Sequence, residues 1–153
     1  MIEIRPMTLA HLEEVYAIEC GSFAIPWPKN DIRREIDDNP RAHYWTALDG
    51  PAVVGYAGMW HVVNEGHITN IAVKAERRRQ GIGRMLLQKL IDQARELEMI
   101  GLTLEVRVHN RPAQLLYTQM GFKHEGFRKN YYADTHEDAL IMWKYFDGGT
   151  TCE

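Results

Sequence analysis

The segment from His67 to Glu98 constrains this chain more than any other. His67 to Lys74 is rich in β-branched residues and bounded by glycine and charge, the pattern of a buried strand. A basic, glycine-containing turn follows, Arg77-Arg78-Arg79-Gln80-Gly81-Ile82-Gly83-Arg84. Gly81 to Glu98 then places Ile82, Leu86, Leu87, Leu90, Ile91 and Ala94 on one helical face. Such a strand, loop and helix unit presents free backbone amides at the helix start, where the dipole contributes about 0.3–1 kcal/mol to an anion contact. Glycine lets the backbone approach a ligand and the arginines add longer-range attraction, so a pyrophosphate suits the loop. The same residues also fit a plain helix start with a solvated basic turn. A nucleotide P-loop is a poor match, because the Gly-Lys-Ser/Thr ending is missing; so are the third glycine and downstream acid of a dinucleotide fold.

The surrounding pattern describes one domain from Met1 to Phe146, with residues 147–153 a flexible tail. A strand at Ile2 to Arg5 leads to a helix capped by Thr8, and a weaker helix covers Asp31 to Asp38. Strands at His43 to Leu48 and Val53 to His61 turn at Asp49-Gly50. Leu102 to His109 alternates strictly, with Leu102, Leu104, Val106 and Val108 on one side and Thr103, Glu105, Arg107 and His109 on the other. Asn110 caps a short helix with Pro112 in its first turn and Gly121 beyond its last. A hairpin of Lys123 to Tyr131 and Asp138 to Phe146 closes an α/β (α+β) domain, a mixed sheet flanked by helices.

A net charge of -3 argues against a nucleic-acid binder with a broad basic face. The two cysteines, Cys20 and Cys152, form no disulfide framework or metal spacing, and the seven histidines show no ligand pair, so no metal is expected. No apolar run approaches membrane-spanning length, and the N-terminus reads as an ordinary strand. The expectation is a soluble, unprocessed, cytoplasmic protein with no membrane partner.

Arg78-Arg79-Gln80-Gly81-Ile82-Gly83, directly after Ile71-Ala72-Val73, resembles the Arg/Gln-x-x-Gly-x-Gly/Ala signature of the GNAT acetyltransferases. Leu104 to Asn110, Ala113-x-x-Leu116-Tyr117-x-x-x-Gly121-Phe122, and Phe23 to Pro28 extend the resemblance over nearly the whole chain. Arg128-Lys129-Asn130-Tyr131-Tyr132 with Glu137-Asp138-Ala139 is similar to the RimI-type members, which acetylate protein N-termini. The resemblance implies a mostly antiparallel sheet of about seven strands, splayed between the fourth and fifth, with about four helices. It also implies acetyl-CoA as co-substrate, contacted by Ile71, Ala72 and Val73, by Arg78, Arg79, Gln80, Gly81, Ile82, Gly83 and Arg84, and by Asn110. The implied partner is a protein N-terminus, the N-terminal alanine of small-subunit ribosomal protein eighteen.

Acetyl transfer to an amine needs a neutral nucleophile, a polarised thioester carbonyl and a proton for the departing thiolate. The resemblance makes Glu105 the base, directly or through water, and Tyr117 the acid. Read from the residues alone, Glu105 is a solvated polar-face side chain able to pair with Arg107 or His109, and Tyr117 a packing residue. Tyr131 and Tyr132 line the peptide entrance by resemblance, or are plain aromatic strand residues. Acetylation of a small amine or lysine, and a non-catalytic acyl-CoA-binding module, remain the alternatives.

Overall fold

The computed structural model describes residues 1–146; the tail expected over 147–153 lies outside the described residues. Strands β1 (Ile2–Pro6), β2 (Ala42–Asp49), β3 (Ala52–Val62), β4 (Glu65–Val73), β5 (Gly101–Arg107), β6 (Lys123–Arg128) and β7 (Ala139–Tyr145) form one sheet. Its order is β1-β2-β3-β4-β5-β7-β6. All neighbours are antiparallel except β4 and β5, which pair in parallel only over Glu65–His67 with Gly101–Thr103. Beyond His67 the two strands part, and the splay opens the sheet at its centre.

Helices α1 (Leu12–Ser22) and α2 (Lys29–Asp37) cover one face, while α3 (Ile82–Glu96) and α4 (Arg111–Gln119) cover the other. The apolar stripe of α3 is fully spent on the sheet: Ile82, Leu86, Leu87, Leu90, Ile91 and Ala94 are all buried. Each large side chain among them contributes about 1.5–3 kcal/mol on burial, which fixes the helix start against the end of β4. On the opposite face Val15, Ile18, Ile32, Tyr56 and Ala72 form a second, smaller core. Gly58 lies across from Tyr44, whose ring covers it so closely that a Cβ would sit 2.2 Å from a ring carbon.

The structure alters several sequence expectations. Thr8 precedes a single 3-10 turn, Leu9–His11, and α1 begins only at Leu12. The second helix starts two residues earlier than expected, at Lys29, because Pro28 in extended geometry serves as its entry. The closing hairpin is shorter: β6 ends at Arg128 and β7 begins at Ala139, so Tyr131 and Tyr132 lie in the connection and not on a strand. Asn130, with φ of 52°, turns the chain there, and its N–H donates to Asp138 Oδ1 at 2.9 Å. His109 likewise falls beyond the end of β5.

Strand β4 departs from simple alternation. A bulge opposite Gly58 and Met59 inserts Thr69 between Ile68 and Asn70. Ile68, Ile71 and Val73 pack on the α3 side, but Thr69 and Asn70, consecutive residues, both turn to the α1 side, where they bond Tyr44 and Glu19. Bulges re-aim side chains in this way and are frequent beside functional sites.

Candidate active site

The parting of β4 and β5 leaves backbone groups of β4 without a strand partner. Lys74 N–H donates to Val54 O at 2.8 Å, so alternation turns the N–H and C=O of Val73 and Ile71 away from β3 and toward the opening. Arg78 Nε takes up the Val73 carbonyl at 3.0 Å. Arg79, with φ of 64°, and Gly81, with φ of 80°, then bring the chain into α3, and no side chain caps its N-terminus. Successive amides in such a turn form an anion-binding concavity. Arg77 is fixed by Asp49 at 2.9 Å and by Gln80 Oε1 at 3.2 Å; it holds the Asp49 carboxyl below the usual range. Arg84 reaches α4 through Gln119 Oε1 at 2.9 Å. A Cβ on Gly83 would project into the gap between Val73 and Leu116, 3.7–3.8 Å from both. Ile82 itself is buried in the core, so only its backbone faces the loop. Open amides, flanking arginines and a glycine-lined gap fit a phosphate-bearing ligand.

A cleft of about 910 Å³ opens on the other side of the splay, and Ile71, Glu105, Asn110, Tyr117, Tyr131 and Tyr132 all line it. Ala72 and Val73 lie beside it, with the Ala72 side chain buried in the α1-side core. Glu105 is 28% exposed, and Arg128 Nε donates to its Oε2 at 3.0 Å. The pairing with Arg107 or His109 that strand alternation left open does not occur. Arg107 bonds Asp134 at 2.9 Å and Glu137 at 3.3 Å, and Glu137 also accepts from the His109 backbone at 2.9 Å. The reason is the turn of 131–137, which folds back over the end of β5 and presents both acids to it. These contacts hold the Asp134 and Glu137 carboxyls below the usual range.

Tyr117 approaches from α4, its ring tilted on Phe122 at 5.9 Å. Burial pushes its hydroxyl up to about 12. Tyr131 and Tyr132 meet edge to face at 5.1 Å. The Arg107 guanidinium lies 4.0 Å over the Tyr132 ring, and the Arg128 guanidinium 5.9 Å from the Tyr131 ring. Burial, with Glu105 adding, raises Tyr131; burial raises Tyr132 to about 12, with Arg107 opposing. Asn110 caps α4 through Oδ1 and the Ala113 N–H at 3.3 Å. One cleft thus gathers an acceptor-only carboxylate, a protonated phenol, two rings at the mouth and an open strand edge, a set suited to proton removal and donation around a group held in the splay.

Residues 12–122 match the acetyltransferase (GNAT) family. The chain belongs to the GNAT acetyltransferases. It is 44% identical over 140 residues to the putative [ribosomal protein bS18]-alanine N-acetyltransferase of Bacillus subtilis, covering 92% of this chain and 93% of that protein. The crystal structure of the ribosomal-protein-S18-alanine N-acetyltransferase from Escherichia coli is similar at a TM-score of 0.87 and 33% identity, covering 95% of this chain and 94% of that one. Arabidopsis thaliana NAA60 in complex with acetyl-CoA shares the fold at a TM-score of 0.86 and 19% identity, covering 95% and 99%. The splayed mixed sheet expected from the sequence is therefore the fold of this acetyltransferase.

Some site residues escaped the sequence reading. Glu19 falls on the apolar face of α1, four residues after Val15, and is 1% exposed. It accepts from the Tyr56 hydroxyl, from Trp27 N–H at 2.9 Å and from Asn70 Nδ2 at 3.2 Å. Asn70 is 8% exposed and its Oδ1 is buried without a partner, which costs about 1–3 kcal/mol if left so. An acid on an apolar helix face and an asparagine inside a β-branched strand were the signals available. Among the described residues no group of three or more His, Cys, Asp or Glu side chains is placed to hold a metal, and no helix is long and apolar enough to cross a membrane.

Proposed function

We propose that this acetyltransferase moves the acetyl group of acetyl-CoA to the α-amine of a protein N-terminus, the N-terminal alanine of ribosomal protein bS18. The observation that carries this reading is Glu105 and Tyr117 lining one cleft beside a splayed strand edge, in a chain so similar over its length to bS18-alanine acetyltransferases. Acetyl-CoA supplies the activated acyl group. Ile71 to Val73 hold its acetyl and pantetheine portion along the open edge, and the amides of Arg78 to Arg84 hold its pyrophosphate. Asn110 adds a contact from the α4 cap. Residues 1–146 act as one domain.

A protein α-amine has an ordinary pKa of about 7.7–8.0 against about 10.4 for lysine, so neutralising lysine costs roughly 3–4 kcal/mol more. Modest basicity suffices for an N-terminus. Oε2 of Glu105 is taken by Arg128, and Oε1 is left to accept the amine proton, directly or through a water. The amine nitrogen then attacks the thioester carbonyl; the C–N bond forms and the C–S bond breaks. Tyr117 keeps its proton at neutral pH and directs it to the departing sulfur. Tyr131 and Tyr132 guide the peptide into the cleft. A ribosomal acceptor places the reaction in the cytoplasm.

The test is mass spectrometry of peptides beginning Ala-Arg, Ser or Met, and of acetyl-blocked Ala with an internal lysine, incubated with acetyl-CoA and either wild type or Glu105→Gln. Modification of the free alanine terminus, reduced about 10²-fold or more in the variant, is expected. Lysine modification, or cofactor binding without turnover, refutes the reading; equal activity in Glu105→Gln removes the base.

A further inference from the structure

The bulge in β4 delivers Asn70 to the α1 side of the sheet, the side on which Glu105 also projects, and both residues line the cleft. Asn70 has its amide orientation fixed. Its Nδ2 donates to Glu19 Oε1 at 3.2 Å, and the reverse orientation would set the amide oxygen against a carboxylate. Oδ1 is consequently turned away from Glu19 and left without a donor. Glu19 accepts only from the neutral Tyr56, Trp27 and Asn70, and takes part in no ion pair among the described residues. Its negative charge beneath the cleft is therefore uncompensated by a nearby cation.

Several other polar groups of the cleft are committed. Thr69 bonds Tyr44 at 2.8 Å, Trp60 donates to Glu35, and Arg107 is held by Asp134 and Glu137. On the α1 side Asn70 Oδ1 is buried without a partner, and Arg128 engages Oε2 of Glu105 and not Oε1. An ammonium group brings three N–H donors and a positive charge. We propose that Asn70, oriented by Glu19, receives the α-amino group of the incoming polypeptide, so that the amine is held between Asn70 Oδ1 and Glu105. Asn70 is a binding residue in this scheme, and Glu19 a positioning residue that acts through it and adds the attracting charge. The inference rests on the proposed N-terminal acetylation.

The test measures recognition apart from turnover. Binding of an alanine-initiated peptide and of its analogue with a propionyl group in place of alanyl is measured by calorimetry on CoA-saturated protein. The wild type is expected to prefer the free amine. Asn70→Ala, or Asn70→Ser should the alanine variant fail to fold, reduces that preference about 10-fold or more, the usual effect of losing a hydrogen bond to a charged group. Glu19→Gln reduces it as well. Tyr56→Phe removes a donor from the same network but leaves the charge and the Asn70 bond, so it lowers Tm while retaining the preference. A wild type indifferent to the amine, a preference unchanged in Asn70→Ala, or equal loss in Tyr56→Phe overturns the proposal. Should the wild type bind the amine through Asn70 yet transfer no acetyl to it, the recognition stands and the proposed function falls.

Discussion

Replacement of Tyr117 by phenylalanine separates catalysis from folding. The ring rests on Phe122, so Tyr117→Phe removes one oxygen and keeps the ring packing. Stability at neutral pH should change by less than about 1 kcal/mol, a Tm shift of about 2–4 °C at most for a domain of this size. Loss of a positioned proton donor, by contrast, lowers kcat by about 10²–10⁴, or about 2.7–5.4 kcal/mol at about 1.36 per decade. Stopped assays of CoA release, with calorimetry of acetyl-CoA binding, measure the two effects separately. The alkaline limb adds a second reading. Burial raises the hydroxyl from 10.0 to about 12, so the folded chain retains a proton that the unfolded chain loses. The contribution is intact below about pH 10 and is lost as pH rises through about 12; two units at about 1.36 kcal/mol each give about 2.7 kcal/mol. Tyr117→Phe should therefore lose less stability than wild type between pH 10 and 12. A fall in kcat of less than about 5-fold with cofactor binding intact would refute the donor role.

Three further outcomes are expected. Gly81→Ala forces a Cβ into left-handed geometry at about 1–2 kcal/mol, and should weaken acetyl-CoA binding more than peptide binding when both are titrated. Glu137→Gln loosens the turn bearing Tyr131 and Tyr132 from Arg107 and His109, so peptide KM should rise by about 3- to 10-fold while the acetyl-CoA KM is unchanged. Because Arg107 and His109 hold the Glu137 carboxyl low, this clamp should persist in wild type as pH falls below about 4.3, where an ordinary glutamate protonates, and be lost only under more acid conditions. Leu90→Ala opens a cavity under α3 and should cost about 2–5 kcal/mol in urea unfolding without a selective effect on either substrate.

Helix α3 and the turn into it are legible in the sequence because their signals are local: a 3.6-residue stripe, a glycine at positive φ and a basic turn lie within one continuous segment. Glu105 and Tyr117 stand out as candidates only through resemblance, since alternation on β5 and a tyrosine on a short helix also fit ordinary packing. The partner of Glu105 was not legible in the sequence. Arg107 and His109 share its strand polarity, but Arg128 arrives from β6 and Asp134 and Glu137 from the turn, and these approaches depend on chain reversal far along the sequence. The hairpin is shorter than the local pattern implies for a similar reason: aromatic residues favour strands locally, yet Asn130 turns the chain, and Tyr131 and Tyr132 lie outside the ladder against Arg128 and Arg107 respectively.

Local periodicity, glycine placement and the order of polar and apolar residues thus determined most of the elements and the turn into α3, because each depends on neighbours within a few residues, whereas the splay of the sheet was implied only by resemblance. Tertiary structure decided which charges pair, how the turn meets β5, and that a bulge sends Thr69 and Asn70 to the same side. Those outcomes arise where strands of distant sequence meet, and a one-residue insertion in β4 reverses side-chain direction without changing the composition of the strand. The buried meeting of Glu19 with Asn70, 51 positions apart, is the clearest case: neither residue announces the other, and only the packing of α1 over the splay brings them together.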